Sequence, residues 1–337
     1  MDKTLIAYMN QLGFFILKVL RKVYQKIFAS AQPQMDYGIN EPDKAAEAIY
    51  DLLSSGKPCM IARFGSTEML AIINYIGVCN PNHSLIKYIK GEQPEWWWGK
   101  NVMEQMQRWS GFFPPIPDNM RRFGKMMLED AKEVDILGSW LQNERYVSEY
   151  VNSAVKVHLR LLEPFWSEQP WSRVLEEKRV LVVHPFAKTI ELQYSQNRTK
   201  LFDHPAVLPE FELQTIQAVQ SIGGIDNGFK DWFEALQWMK DEIDRREYDV
   251  CLIGCGAYGF PIAAHVKRRG KQAFHLGGSL QLLFGIKGKR WEDPNYGVTV
   301  WGIPYGSYSD LMNEHWVRPE QTEKPKSSNA VEGGCYW

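Results

Sequence analysis

The stretch Tyr248-Asp249-Val250-Cys251-Leu252-Ile253-Gly254-Cys255-Gly256-Ala257-Tyr258-Gly259 joins an unbroken apolar run to a turn carrying three glycines. A run without polar alternation suits a strand buried on both faces, as in a parallel sheet. The glycines suit a tight turn from that strand into a helix, which the sequence carries to about Arg269-Gly270. Gln272 to Leu276 then reads as the next strand, leading into Gly277-Gly278 and a further helix. Strand, glycine turn, helix, strand is the repeating unit of a parallel α/β sheet.

The same alternation extends outward. Upstream, Arg179 to Val183 and Phe211 to Thr215 read as strands, with helices around Thr189 to Gln196 and Trp232 to Arg246. In the first half, Lys44 to Leu53 reads as a helix with Asp43 as N-cap. Cys59 to Ala62 reads as a buried strand and Met69 to Ile76 as a helix. Asp118 to Lys132 reads as a helix, Val134 to Leu137 as a short strand, and Ser148 to Leu162 as another helix. Residues 81–117, rich in Pro, Trp and Gly, read as an insertion or a set of long loops. The expected architecture is α/β: a Rossmann-like, mostly parallel sheet with flanking helices over residues 44–316, preceded by an N-terminal amphipathic helix (1–30) and a linker (31–43), and followed by a polar, mobile tail (317–337).

The composition fits an enzyme-sized folded chain. Of 337 residues, 45% are hydrophobic, and Lys+Arg 39 against Asp+Glu 40 leave a net charge of −1, which supplies no global basic field for nucleic acid. Five scattered cysteines form neither a disulfide framework nor a zinc site, so reduced thiols and a cytoplasmic setting are expected. In the first segment Leu5, Met9, Leu12, Ile16, Val19, Val23 and Ile27 make one helical stripe. Lys18, Arg21 and Lys22 fall away from it, and Lys26 lies on its flank. The apolar stretch is too broken to span a bilayer. It suits either the surface of an anionic membrane, at the inner face, or docking on the body or on a second subunit.

Three strand ends carry residues suited to a phosphorylated ligand. Gly254, Gly256, Ala257, Tyr258 and Gly259 form G-x-G-x-x-G at a helix start, which suits either phosphate approach or tight strand–helix packing. The following strand ends in His275-Leu276-Gly277, with no acid for a ribose hydroxyl, which argues against NAD. Arg63-Phe64-Gly65-Ser66-Thr67-Glu68 joins a guanidinium to a helix start; Glu68 there can ligate a cation, take a proton, or simply complement the helix dipole. His184-Pro185-Phe186-Ala187-Lys188-Thr189 offers a third strand end, with Lys188 and Thr189 at a helix start. Trp96, Trp97 and Trp98 could stack on sugar rings as an acceptor platform, or pack beneath a loop.

The segment Met60 to Glu68 resembles the signature of GT-D-type glycosyltransferases, whose strand and loop run R-F-G-D-G-E. The stretches around His184 to Tyr194 and Gly254 to Gly278 resemble later units of that family, and the likeness covers about half of the chain. It implies a Rossmann-like enzyme moving a sugar from a nucleotide-diphosphate donor, a UDP-sugar first, to a glycan or lipid-linked acceptor in cell-surface polysaccharide or glycoconjugate synthesis. Arg63, Phe64, Gly65 and Glu68 match, and Ser66 stands where the family has its first aspartate, which removes one carboxylate from a Mn²⁺ or Mg²⁺ site. The resemblance makes Glu68 the catalytic or metal-binding residue. Together with the strand-end reading, donor binding is expected from Arg63, Phe64, Gly65, Ser66, His184, Lys188, Thr189, the Gly254–Gly259 turn, His275 and Gly277. An S-adenosylmethionine-dependent methyltransferase and a non-catalytic nucleotide-sugar-binding scaffold remain the alternatives.

Overall fold

A computed structural model of the chain describes residues 3–28, 36–222, 227–298, 306–324 and 334–337, with side chains from residue 12 onward. The first residues of the expected linker, 31–35, lie outside the described residues, as do the side chains of Leu5 and Met9.

Seven short strands form one parallel sheet: β1 (Cys59–Ala62), β2 (Ile136–Ser139), β3 (Val155–His158), β4 (Arg179–His184), β5 (Glu212–Gln217), β6 (Val250–Ile253) and β7 (Gln272–His275). Their spatial order is β3-β2-β1-β7-β6-β4-β5. The helices are α1 (Lys3–Ile27), α2 (Pro42–Ser54), α3 (Ser66–Cys79), α4 (Leu85–Lys90), α5 (Lys100–Ser110), α6 (Pro117–Ala131), α7 (Ala187–Asn197), α8 (Trp232–Asp244), α9 (Gly259–Arg268) and α10 (Leu280–Leu283).

The central strands are apolar throughout because each face meets a different core. Met60, Ala62, Leu181, Val183, Cys251 and Ile253 point into one core with α6, α8 and α9. Cys59, Ile61, Val180, Val182, Val250 and Leu252 alternate into the other, with α2, α7 and Trp171. Handedness decides which helix goes where. The steps β1 to β2 and β6 to β7 run toward the β3 edge, and α6 and α9 lie on the first face. The step β4 to β5 runs the other way, and α7 lies on the second face. Opposite steps need opposite faces if every crossover is right-handed. The chain therefore leaves β6 in one direction and β4 in the other, and a crevice opens between their C-terminal ends.

Three expectations are corrected. Residues 148–162 are not one helix: a 3₁₀ segment (Gln142–Tyr150) is followed by edge strand β3 and a second 3₁₀ turn (Leu159–Leu162). The 81–117 region holds two helices, α4 and α5, rather than loops alone. The tail is not a free polar segment where it is described, because Glu323, Cys335 and Trp337 are all buried.

Candidate functional site

A cavity of about 460 Å³ lies at the C-terminal ends of β1, β7, β6 and β4. The loop after β1 supplies two of its charged groups, Arg63 and Glu68. Phe64 is buried and stacks on Phe260 of α9 at 4.6 Å, while its carbonyl accepts the indole N–H of Trp140 at 2.9 Å. Phe64 thus anchors the loop from behind and does not line the cavity; Arg63, Gly65, Ser66, Thr67 and Glu68 do. Gly65 is the N-cap of α3, and a methyl group there would fall 1.8 Å from Oε2 of Glu68. The absence of a side chain at Gly65 is what lets the Glu68 carboxylate fold back over the turn. It lies in the first turn of α3, where the helix dipole favours negative charge.

Arg63 lies against Trp140, its guanidinium carbon 5.2 Å from the ring centroid. The surrounding protein pushes the guanidinium below its ordinary range, and the Glu68 carboxylate is the largest of the charges opposing that shift. Trp140 is held in turn by Glu144, whose carboxylate accepts the N–H groups of Trp140 and Leu141 at 3.0 Å and the hydroxyl of Ser139.

At the end of β6 the three motif glycines have different causes. A methyl at Gly254 would meet the Gly277 carbonyl and the His184 ring, both at 2.7 Å; one at Gly259 would lie 2.2 Å from the His275 ring. Those two are close-packing glycines. Gly256, with nothing nearer than the Ser110 carbonyl at 4.0 Å, is glycine because its φ is +57°. Tyr258 stacks on Trp232 at 4.8 Å and shares a 2.8 Å hydrogen bond with Ser221, and burial pushes its phenol up. Ala257 and Cys255 complete the turn on the cavity wall.

His184 and His275 are both buried in that wall, and desolvation pushes each down to about 3; the Arg63 charge adds to the effect at His275. Nδ1 of His184 accepts the Phe186 N–H at 3.0 Å, which puts its proton on Nε2. Nδ1 of His275 lies 3.3 Å from the Ile253 carbonyl, so it carries the proton there and leaves Nε2 as the acceptor. Both imidazoles are neutral at physiological pH.

Lys188 and Thr189 stand apart from the cavity lining. The start of α7 is already filled by the protein's own carboxylate: Glu323 accepts the N–H of Lys188 at 2.8 Å, that of Thr189 at 3.2 Å, and the Thr189 hydroxyl. The three tryptophans are likewise elsewhere. Trp97 stacks on Phe14 of α1 at 4.1 Å, Trp96 lies edge-on to Tyr88 and stacks on His83, and Trp98 packs against the core. The aromatic wall of the cavity comes instead from Trp109, Trp140, Tyr296, Tyr336 and Trp337. Arg290, also in the lining, sits 4.4 Å from the Tyr336 ring centroid, and its backbone N–H donates to the Cys335 carbonyl at 3.2 Å.

Among the described residues no three His, Cys, Asp or Glu side chains are gathered, and Glu68 is the one carboxylate in the described lining. What the cavity combines is two guanidinium groups, one carboxylate, two neutral imidazoles and flat aromatic rings. That set suits a ligand with an anionic centre and ring systems on either side. Comparison with protein-family models, curated proteins and solved structures finds no match to this chain.

Proposed function

We propose that the cavity binds a nucleotide-diphosphate sugar and that the chain is a GT-D-like glycosyltransferase acting on a hydroxyl of a glycan or lipid-linked acceptor. The observation that carries this reading is the presence of Arg63 and Glu68 together in the cavity lining at the end of β1, among aromatic rings. In the transfer, the acceptor oxygen bonds to the anomeric carbon as the bond from that carbon to the diphosphate oxygen breaks. The leaving diphosphate keeps the electron pair and is stabilised by Arg63, with Arg290 as the second cation. The acceptor hydroxyl proton passes to Glu68. The neutral imidazole of His184 supplies an N–H donor to the polar groups of the ligand.

A thermal-shift panel of UDP, GDP, CMP, dTDP, S-adenosylmethionine and NAD tests the ligand class. A nucleoside diphosphate at 100 times its Kd is expected to add about 2.7 kcal/mol of stability. Arg63→Lys, which keeps charge but loses the planar fork, is expected to diminish that shift. Glu68→Gln is expected to keep the shift and lower sugar transfer about 10²–10⁴-fold. Stabilisation by S-adenosylmethionine or NAD alone would overturn the reading. Donor binding without turnover across an acceptor panel would convert it to a scaffold.

A further inference from the structure

α1 sits on the body the wrong way round for a helix that only packs. Its body-facing side carries Phe14, stacked on Trp97 at 4.1 Å; Lys18, 3.1 Å from the Glu95 carboxylate; and Arg21, which lies over Tyr88 at 4.8 Å and donates to the Gln93 carbonyl at 3.1 Å. The apolar stripe of Leu12, Ile16, Val19, Val23 and Ile27 is turned outward, each residue between 42% and 67% exposed. A helix stabilised by docking alone buries that stripe and shows its charges to water. On α4, which contacts α1, Leu85 and Ile86 add 57% and 67% exposed surface.

We propose that the outward face of α1, with Leu85 and Ile86 of α4, docks the protein on an anionic lipid bilayer, the helix lying in the plane of the interface. The charge pattern selects this occupant. α1 contains no Asp or Glu; Lys22 and Lys26 are exposed beside the stripe, and Lys87 and Lys90 are exposed on α4. A second copy of this chain would bring basic residues against basic residues. A bilayer takes the stripe into the acyl boundary and the lysines among anionic headgroups. Among the described residues no helix is long and apolar enough to cross a membrane, which agrees with an in-plane helix. This inference is independent of the ligand assigned to the cavity.

Co-sedimentation of the full chain with phosphatidylcholine vesicles containing 0 or about 30% phosphatidylglycerol tests it, with light scattering of the lipid-free protein alongside. Binding is expected only to the anionic vesicles and is expected to weaken as salt is raised. Val19→Glu with Val23→Glu should reduce it at least about tenfold, and so should Leu85→Glu with Ile86→Glu on the separate element. All four positions are exposed, so the variants should melt at the parent temperature in the absence of lipid. Equal binding to neutral vesicles would overturn the proposal. So would a stable dimer that Val19→Glu dissociates, or no loss in either double variant.

Discussion

His184 and His275 stand at the ends of β4 and β7, and burial holds both imidazoles neutral down to about pH 3. In the unfolded chain they titrate near the ordinary histidine value of about 6.5. Below that pH the unfolded chain binds protons that the folded one refuses, so stability is complete above about pH 6.5 and falls as pH drops toward 3. Each histidine contributes up to about 1.4 kcal/mol per pH unit across that window. His158 and His265, which are also pushed down by burial, act with the same sign. Urea midpoints should decline as pH is lowered from about 6.5 to 5.5, above the ordinary carboxylate range. Glu163 and Asp130, whose carboxyls burial pushes up, act with the opposite sign, so the histidine part is read from His275→Gln, which should flatten the slope. That Arg63 and Glu68 face one cavity was legible, because they sit five residues apart around one turn. Trp140, Arg290 and Tyr336 were not, since only the topology brings them to that turn.

At the scale of elements, α7 shows how a site suggested by local sequence can be filled from elsewhere. Its start has the free N–H groups that suit an anion, and the Glu323 carboxylate takes two of them together with the Thr189 hydroxyl. Nothing near Lys188 announces this, because the partner comes from the far end of the chain. Glu323→Ala is expected to cost about 0.5–2 kcal/mol, as loss of a helix cap does, and a denaturant titration reads it directly. The missed strand β3 has a different cause. Val151, Val155, Leu159 and Leu162 fall at spacings of four and three, which imitates a helical stripe. Only Val157 of β3 is fully buried, so the period-two signal is one residue deep. The facing of α1 was hidden for a related reason: its stripe was readable, but which side meets the body depends on Trp97 and Tyr88.

Over the whole molecule, the outline came from apolar runs bounded by glycine. Those runs identify buried parallel strands without giving their order in space. That order is β3-β2-β1-β7-β6-β4-β5, so β6 and β7, among the last strands in sequence, lie between β1 and β4. A chain ending at residue 245 would hold two separate patches, β1 to β3 and β4 to β5, each with a bare inner edge. It should show no cooperative unfolding transition and should aggregate, and a denaturation curve of that truncation against the parent checks this. During synthesis the earlier strands must wait, emerged but unjoined, until residues 250–275 clear the ribosome. Assembly of the sheet is therefore a late event in the life of each new chain. Its risk of mispairing with a neighbouring copy is set by how long that wait lasts, not by how stable the finished protein is.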